Sequence, residues 1–158
     1  IDVSEIGAGG GSLVRLDRMN QVTVGPQSAG AYPGPVCYGL GGREATLTDA
    51  FVTLGYINDV ALAGGSFPIH AEAGRAALAD QIARPLGLDL VRTARGVLTL
   101  AVTTMTRAVK AVSTYRGRDP RQATLVAFGG NGPVVATEVA RALGIRRVIV
   151  PRAAIAVV

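Results

Sequence analysis

The chain has 158 residues, 49% of them apolar, which is enough to build the core of one domain of ordinary size and excludes a disordered polypeptide. With three Phe, four Tyr and no Trp, that core must consist mainly of Val, Leu, Ile and Ala, as in β-strands covered by Ala-rich helices. The net charge of +5 comes from the second half, where basic residues are dispersed and aromatic residues are few, and this argues against nucleic-acid binding.

The first 70 residues hold thirteen of the twenty-one glycines. Two short apolar segments, residues 13–16 and 21–24, flank a polar turn and predict a β-hairpin. Residues 25–42 then predict an ordered loop with little regular structure, and so long a loop inside a compact domain usually serves a site or an interface. A helix is expected over residues 50–56, with Asp49 at its start.

The next part of the chain is predicted to be mainly helical. One helix covers residues 71–84 and is ended by Pro85 and Gly87. A longer helix runs from about Asp89 to Tyr115, because apolar side chains recur there at steps of three and four residues and mark a buried face.

The C-terminal part has the pattern of a βαβ unit. Residues 123–128 predict a strand, residues 134–143 a helix and residues 147–151 a second strand, so a right-handed crossover and a parallel strand pair are expected. The first strand leads into the turn Gly129-Gly130-Asn131-Gly132-Pro133. Glycines let a ligand approach the backbone closely, and a helix start offers unpaired N–H groups and the positive end of a dipole.

Two interpretations of this glycine turn stay open. A nucleotide is the ligand class that fits it best, but glycine pairs also end strands simply to let the chain turn tightly into the next helix. The spacing is neither the dinucleotide-binding Gly-x-Gly-x-x-Gly nor the Walker pattern, since no Gly-Lys-Ser/Thr follows. The turn is therefore not an ordinary signature of either class.

Other candidate site residues also have a structural alternative. The Asp49 carboxylate is the candidate catalytic group, although an N-cap needs only an oxygen that accepts a backbone N–H. Asp119, before Pro120, is predicted to be a turn residue. A second glycine segment could offer backbone donors to a phosphate or an oxyanion, or could be a plain β-turn. It consists of Gly9, Gly10, Gly11 and Ser12.

Cysteine and histidine are too few for a metal site or a disulfide. Cys37 is the single cysteine, so a reducing, cytoplasmic setting is the default, and it is interpreted as a packed thiol. His70 is interpreted as a helix-entry or surface residue. No apolar run is long enough to span a membrane, and no signal-peptide pattern is present at the start. The start at Ile1 and the apolar end predict a piece of a longer chain.

Several sequence blocks occur in one order along nearly the whole chain. They are Ile6-Gly7-Ala8-Gly9-Gly10-Gly11-Ser12, Val24-Gly25-Pro26-Gln27-Ser28-Ala29-Gly30-Ala31, Pro33-Gly34-Pro35 with Cys37-Tyr38-Gly39, Thr46-Leu47-Thr48-Asp49-Ala50, Arg116-Gly117-Arg118-Asp119-Pro120, and Ala127-Phe128-Gly129-Gly130 with Gly132-Pro133. In that order they resemble the hydantoinase A/oxoprolinase family, which includes N-methylhydantoinase alpha subunits, 5-oxoprolinase and the acetone carboxylase beta subunit.

The resemblance implies that residues 1–158 form a single partial hydantoinase A-type domain, an α/β piece of an actin-like ATPase fold of the sugar-kinase type. Family members use ATP, with Mg²⁺, to phosphorylate an amide or carbonyl oxygen, and the activated carbon is then attacked by water or another nucleophile. In cyclic-amide members the ring opens. The turn at residues 129–133 would correspond to the adenosine-side loop of such folds. The implied partner is a hydantoinase B-type subunit or domain, in an oligomer.

The chain also departs from the family pattern. The family's phosphate-binding segments with Asp and Thr do not lie in this sequence. Arg118 stands where the family usually has His, Val134-Val135-Ala136 replaces Leu-His-Ala, and Arg152-Ala153-Ala154-Ile155-Ala156 replaces a Pro-Gly-Val and Ser-Ala segment. Valine cannot bind metal or transfer protons as imidazole does. Three functions stay open: part of an ATP-dependent cyclic-amide hydrolase, which is preferred, an acetone carboxylase-type subunit, and a non-catalytic remnant or assembly module.

Overall fold

The structure, a computed structural model, describes residues 5–151. The described residues divide into two compact units, one formed by residues 7–101 and the other by residues 5–6 and 102–151. Both units combine helices with two-stranded sheets, so the mixed α/β class is confirmed. None of the described helices is long and apolar enough to cross a membrane. Residues 152–156, where the sequence departs from the family pattern, lie outside the described residues.

The unit of residues 7–101 begins with the predicted β-hairpin. Strand β1, Ser12–Leu16, pairs antiparallel with β2, Val22–Ser28. Asp17 holds the connecting turn, because its Oδ1 accepts the N–H groups of Met19 and Gln21 at 2.8 and 2.9 Å. Strand β2 continues four residues beyond the predicted end and includes Pro26. An edge strand tolerates proline because no neighbouring strand needs the N–H that proline lacks.

Helix α1 covers Leu47–Thr53 and is almost wholly buried. The predicted helix over 50–56 was wrong in position, and of the two interpretations left open for Asp49 the N-cap is wrong. Thr46 is the N-cap and Asp49 is the third helical residue, and the two form a capping box in which each side chain accepts the other's backbone N–H. This box starts the helix one turn earlier than expected.

Two short strands and a broken helix complete the first unit. Strands β3, Ala61–Leu62, and β4, Phe67–Pro68, form a hairpin that was not predicted. Helix α2, Ala71–Leu78, continues through a π-helical turn into α3, Arg84–Leu86. The prediction that Pro85 helps to end this helix was wrong, because Pro85 lies in the first turn of α3, where a missing N–H is tolerated. The predicted stop at Gly87 is confirmed, since Gly87 has the left-handed conformation (φ 63°) that ends helices.

The core of this unit is built from aliphatic side chains and one phenylalanine, and α1 packs against α2. Its large, fully buried residues are Val14, Leu47, Phe51, Val52, Leu78, Ile82 and Val97.

Helix α4 covers Leu90–Val112 and contributes residues to both units. It begins directly after Asp89, whose Oδ1 accepts the Arg92 N–H at 2.8 Å. The predicted start is confirmed, but the helix ends three residues before Tyr115, in a 3₁₀ turn closed by the left-handed Gly117.

The other unit contains the predicted βαβ segment. Strands β5, Thr124–Val126, and β6, Arg147–Ile149, are parallel, and helix α5, Gly132–Leu143, connects them. Both the parallel pairing and the order of elements are confirmed. The glycine turn of residues 129–131 therefore lies at the carboxyl end of β5, directly before the first turn of α5.

Candidate functional site

The glycine turn before β1 is closed by its own hydrogen bonds. The Ser12 N–H donates to the Gly9 carbonyl oxygen, and the Gly9 N–H donates to Ser12 Oγ, both at 2.9 Å. The Gly11 carbonyl oxygen accepts the Ala29 N–H at 2.8 Å. A Cβ added at Gly11 would lie 2.7 Å from Ser28 Oγ and 3.2 Å from the Gly30 carbonyl oxygen, so a larger residue would require the Ser28 side chain to move. The segment is thus a fixed β-turn, and its role as a set of backbone donors stays a prediction.

Helix α1 anchors this turn. Thr48 is buried and donates both its N–H and its Oγ1 hydroxyl to the Gly10 carbonyl oxygen, each at 2.9 Å. Across the described residues, the amide groups of Gly10 and Gly11 are donors in none of the hydrogen bonds. The turn therefore has its carbonyl groups bound to the protein and two amide groups without a partner.

Asp49 is fully buried and binds the start of its own helix to the loop segment that contains Val36 and Cys37. Its carboxylate accepts the Thr46 N–H, the Thr46 hydroxyl and the Cys37 N–H, all at 2.8 Å, and the Val36 N–H at 3.4 Å. A Cβ added at Gly74 would lie 2.6 Å from Asp49 Oδ1, so helix α2 approaches the carboxylate closely. These contacts are structural, and a catalytic role for Asp49 stays a prediction.

Cys37 and His70 have the structural roles predicted for them. The Cys37 side chain is fully buried, and this burial, followed by the negative charge of Asp49, raises the pKa of its thiol far above the ordinary range. A thiol held protonated in this way is a poor nucleophile. His70 is exposed at the N-cap position of α2, and its backbone N–H donates to the Cys37 carbonyl oxygen at 2.7 Å.

The turn before α5 differs from the first because its surroundings are open. Gly129 has a φ of 83°, which favours glycine, and a Cβ added at Gly129 or Gly130 would meet no atom within 4 Å. Asn131 is the N-cap, but its side chain makes no capping hydrogen bond, so the first amides of α5 have no side-chain acceptor. The geometry has room for a ligand at the predicted residues Gly129, Gly130, Asn131 and Gly132.

An apolar groove of about 600 Å³ lies beside this turn and was not predicted. Its lining includes Leu125 and Ala127 from β5 and its end, and Gly132, Val135 and Val139 from α5. Phe128, at the end of the strand, also lines it and is 71% exposed. A groove with such walls suits a planar or aliphatic ring better than a charged group.

A second cavity in the same unit, of about 510 Å³, has charged walls that include Lys110, Arg118, Asp119 and Arg121. Asp119 has the predicted turn role, because its Oδ1 accepts the Arg121 N–H at 3.0 Å. The Arg121 guanidinium also pairs with the Asp119 carboxylate at 2.8 Å and lowers the pKa of that carboxyl. This pair partly neutralises the positive wall.

The predicted site residues thus fall into two groups. Thr48 joins the Gly9–Ser12 turn to Asp49 within the unit of residues 7–101, whereas residues 129–132 belong to the other unit. Over residues 5–151, no group of three His, Cys, Asp or Glu residues could hold a metal ion. Thr48 was missed by the sequence interpretation, and the only signal for it was its place beside Asp49.

Comparison with known proteins identifies relatives over nearly the whole chain. Caprolactamase subunit alpha of Pseudomonas jessenii is 44% identical over 154 residues, which cover 98% of this chain and 22% of the relative. The gamma subunit of acetophenone carboxylase from Aromatoleum aromaticum is 43% identical over 129 residues, which cover 81% of this chain and 18% of the relative. The chain therefore spans about a fifth of the length of these relatives.

Solved structures agree with these sequence relationships. The crystal structure of ATP-dependent caprolactamase from Pseudomonas jessenii superposes with a TM-score of 0.90 over 98% of this chain and 22% of its own. Nucleotide-free acetone carboxylase superposes with a TM-score of 0.85 at 34% identity, over 94% of this chain and 21% of its own. The family model described as hydantoinase/oxoprolinase matches residues 1–158. The chain belongs to the hydantoinase/oxoprolinase family.

Proposed function

We propose that this chain is part of an ATP-dependent hydrolase that opens cyclic amides, of the lactam, hydantoin or 5-oxoproline type, through phosphorylation of the ring carbonyl oxygen. The observation that carries the proposal is the 44% identity to caprolactamase subunit alpha over 98% of the chain, together with the TM-score of 0.90 to an ATP-dependent caprolactamase. Identity at this level over nearly every element supports a shared reaction class.

We also infer that the unit with β5, α5 and β6 is part of an actin-like ATPase fold. Ligands of open α/β sheets bind outside the carboxyl ends of parallel strands, and the turn of residues 129–131 lies at such an end. The likeness to two proteins whose titles name ATP dependence supports the same inference.

The described residues fit the adenosine part of ATP. Gly129, Gly130, Asn131 and Gly132 would hold the nucleotide, since the turn is open and the amides at the start of α5 lack a side-chain acceptor. The apolar groove beside them would take the base. When bound, ATP supplies the phosphoryl group. No metal-ligand set exists among residues 5–151, so no described residue is assigned to Mg²⁺.

In this proposal Asp49 acts without touching the substrate. Its carboxylate accepts the N–H groups of Cys37 and Thr46 and so holds the segment that contains Cys37 to the start of α1. The adjacent Thr48 holds the Gly9–Ser12 turn. Asp49 is therefore a positioning residue whose loss changes the shape of this region.

A carboxylase subunit is the second candidate. It is supported by the 43% identity to the acetophenone carboxylase gamma subunit and by the TM-score of 0.85 to acetone carboxylase. Because the relatives are named as alpha and gamma subunits, we propose that the complete protein works with a partner subunit, of the hydantoinase B type.

The deciding assay measures phosphate release from ATP by the complete protein and its partner subunit. We expect release to rise with caprolactam, a hydantoin or 5-oxoproline, and not with acetone or acetophenone plus bicarbonate. The reverse pattern would assign a carboxylase, and no stimulation by either set would favour the non-catalytic alternative.

A matched pair of variants tests the nucleotide site. Gly130→Val places its side chain in open space, so the fold should tolerate it while a fluorescent ATP analogue binds at least about tenfold more weakly. Gly96→Val, on an exposed face of α4 with equally open space, is the control and should bind as the unmodified protein does. Equal affinities for both variants would remove the turn of residues 129–132 from the site.

A further inference from the structure

Resting on the proposed function, we infer that the Gly9–Ser12 turn binds an oxyanion through the amide N–H groups of Gly10 and Gly11. We further infer that Thr48 is the positioning residue that orients these two amides.

The orientation follows from the planarity of the peptide bond. In a trans peptide the carbonyl oxygen and the following N–H point in opposite directions. The Gly10 carbonyl is drawn toward α1 by two donors of Thr48, so the Gly11 N–H, in the same peptide plane, points away from α1. The Gly9 carbonyl accepts the Ser12 N–H inside the turn, so the Gly10 N–H points out of it.

Within the Gly9–Ser12 segment, the N–H groups of Gly10 and Gly11 are the two that donate to no described residue. The Gly9 N–H is bound by Ser12 Oγ and the Ser12 N–H by the Gly9 carbonyl oxygen. Gly10 is a buried residue and Gly11 is partly buried. An amide that loses water without gaining an acceptor costs free energy, and a ligand oxygen would recover that cost. Successive backbone amides in a turn are a common cradle for anions.

The chemistry of the ligand follows from the donors. Two N–H groups that donate to none of the described residues can bind a ligand oxygen, and they bind most strongly to one that carries negative charge. In the proposed reaction, such an oxygen belongs either to a phosphate group of the nucleotide or to the ring carbonyl as charge develops on it. Both sources present the same chemistry to the turn, and they are separated by experiment.

Thr48 supplies the rigidity that such a site needs. It is 1% exposed, and its hydroxyl and N–H meet on the same oxygen, so the Gly10 peptide cannot rotate without breaking two hydrogen bonds. Donors fixed in advance stabilise a developing charge without reorganisation. Loss of the Thr48 hydroxyl leaves the turn in place with one anchor instead of two.

The test compares three variants of the complete protein with its partner subunit. Thr48→Val removes the hydroxyl at constant shape, Thr48→Ser restores it, and Thr53→Val removes a hydroxyl of the same helix that donates to the Asp49 carbonyl oxygen instead. Binding is titrated with inorganic phosphate and with an ATP analogue, and kcat and KM are measured with a cyclic amide.

We expect Thr48→Val either to weaken phosphate and analogue binding or to lower kcat by roughly tenfold or more. Thr48→Ser and Thr53→Val should bind and turn over nearly as the unmodified protein does. Weaker phosphate and analogue binding assigns the turn to the nucleotide phosphates. Unchanged binding with a lower kcat assigns it to the amide oxygen. A Thr48→Val protein with the same binding affinities and the same kcat as Thr53→Val would overturn the inference.

Phosphate binding by the turn and opening of a cyclic amide are measured separately, so either can fail without the other. A protein that binds phosphate through this turn but opens no cyclic amide would retain the oxyanion site and lose the proposed reaction. If Thr48→Val does not fold, glycine-labelled protein replaces it, and saturating phosphate or cyclic amide with ATP analogue should shift the amide resonances of Gly10 and Gly11. Unmoved resonances under both conditions would refute the site.

Discussion

Replacing Asp49 by alanine should destabilise the fold strongly, because the carboxylate has no solvent-exposed side. Three donors lie at 2.8 Å from it: the N–H groups of Thr46 and Cys37 and the Thr46 hydroxyl. The hydroxyl can rotate to another acceptor, but the two backbone amides cannot. A buried donor left unpaired costs roughly 1–3 kcal/mol, so two of them predict a loss of about 2–6 kcal/mol in the free energy of unfolding.

Urea unfolding of the chain measures this loss. Asp49→Asn keeps one acceptor oxygen and places an NH₂ group where the other oxygen stood. Its free energy of unfolding should therefore lie between those of the unmodified chain and the alanine variant. Asp80→Ala is the matched control: it breaks an exposed ion pair with Arg84 at 2.7 Å and should change the free energy by no more than about 0.5 kcal/mol.

An Asp49→Ala chain whose free energy of unfolding lies within about 1 kcal/mol of that of the unmodified chain would contradict this prediction. If such a variant of the complete protein also lost turnover, this result would support the catalytic role predicted for Asp49 from the sequence. A large loss of stability in both the alanine and the asparagine variants supports the positioning role.

Three further predictions concern other parts of the first unit. Gly74→Ala should lower the free energy of unfolding in urea by roughly 1–3 kcal/mol, because its Cβ would lie 3.0 Å from that of Cys37. Gly96→Ala, on the exposed face of α4, should raise that free energy by up to about 1 kcal/mol. Arg15 lowers the pKa of Glu44, so their ion pair contributes above the unfolded-state pKa of that carboxyl and is lost as the pH falls through the folded-state value; the melting temperatures of the unmodified chain and Glu44→Gln should therefore differ most at neutral pH and converge in acid. The Cys37 thiol should react with a soluble disulfide reagent at once in urea and only slowly in the native chain, and rapid native labelling would contradict its burial.

The elements that local patterns define could be predicted from the sequence. The β5–turn–α5–β6 segment has an apolar strand, a glycine turn and a helical stripe in immediate succession, and all three signals agree. The start of α1 was misplaced because Thr46, Thr48 and Asp49 are all residues that cap helices. The Thr-x-x-Asp spacing of a capping box was present and would have selected Thr46.

Other features depend on tertiary contacts that no local pattern contains. Strands β3 and β4 have two residues each, too few for alternation to be detected. The contact of Thr48 with Gly10 joins positions 38 residues apart. The apolar groove is lined by residues of β5, α5 and α4 that are distant in sequence, so no local pattern reveals it.

The two glycine segments, similar in sequence, are different kinds of structure. At residues 129–132, glycine leaves empty space around the backbone, and a side chain at Gly130 would enter that space without touching the protein. At residues 9–12, the carbonyl groups are bound, the turn is packed against β2, and a buried threonine fixes one peptide plane. An open turn can follow the shape of a bound group such as a base and ribose, whereas a fixed turn can hold donors in place for charge that develops during a reaction. On this physical ground we expect substitutions at residues 129–132 to change nucleotide affinity and substitutions that loosen residues 9–12 to change turnover.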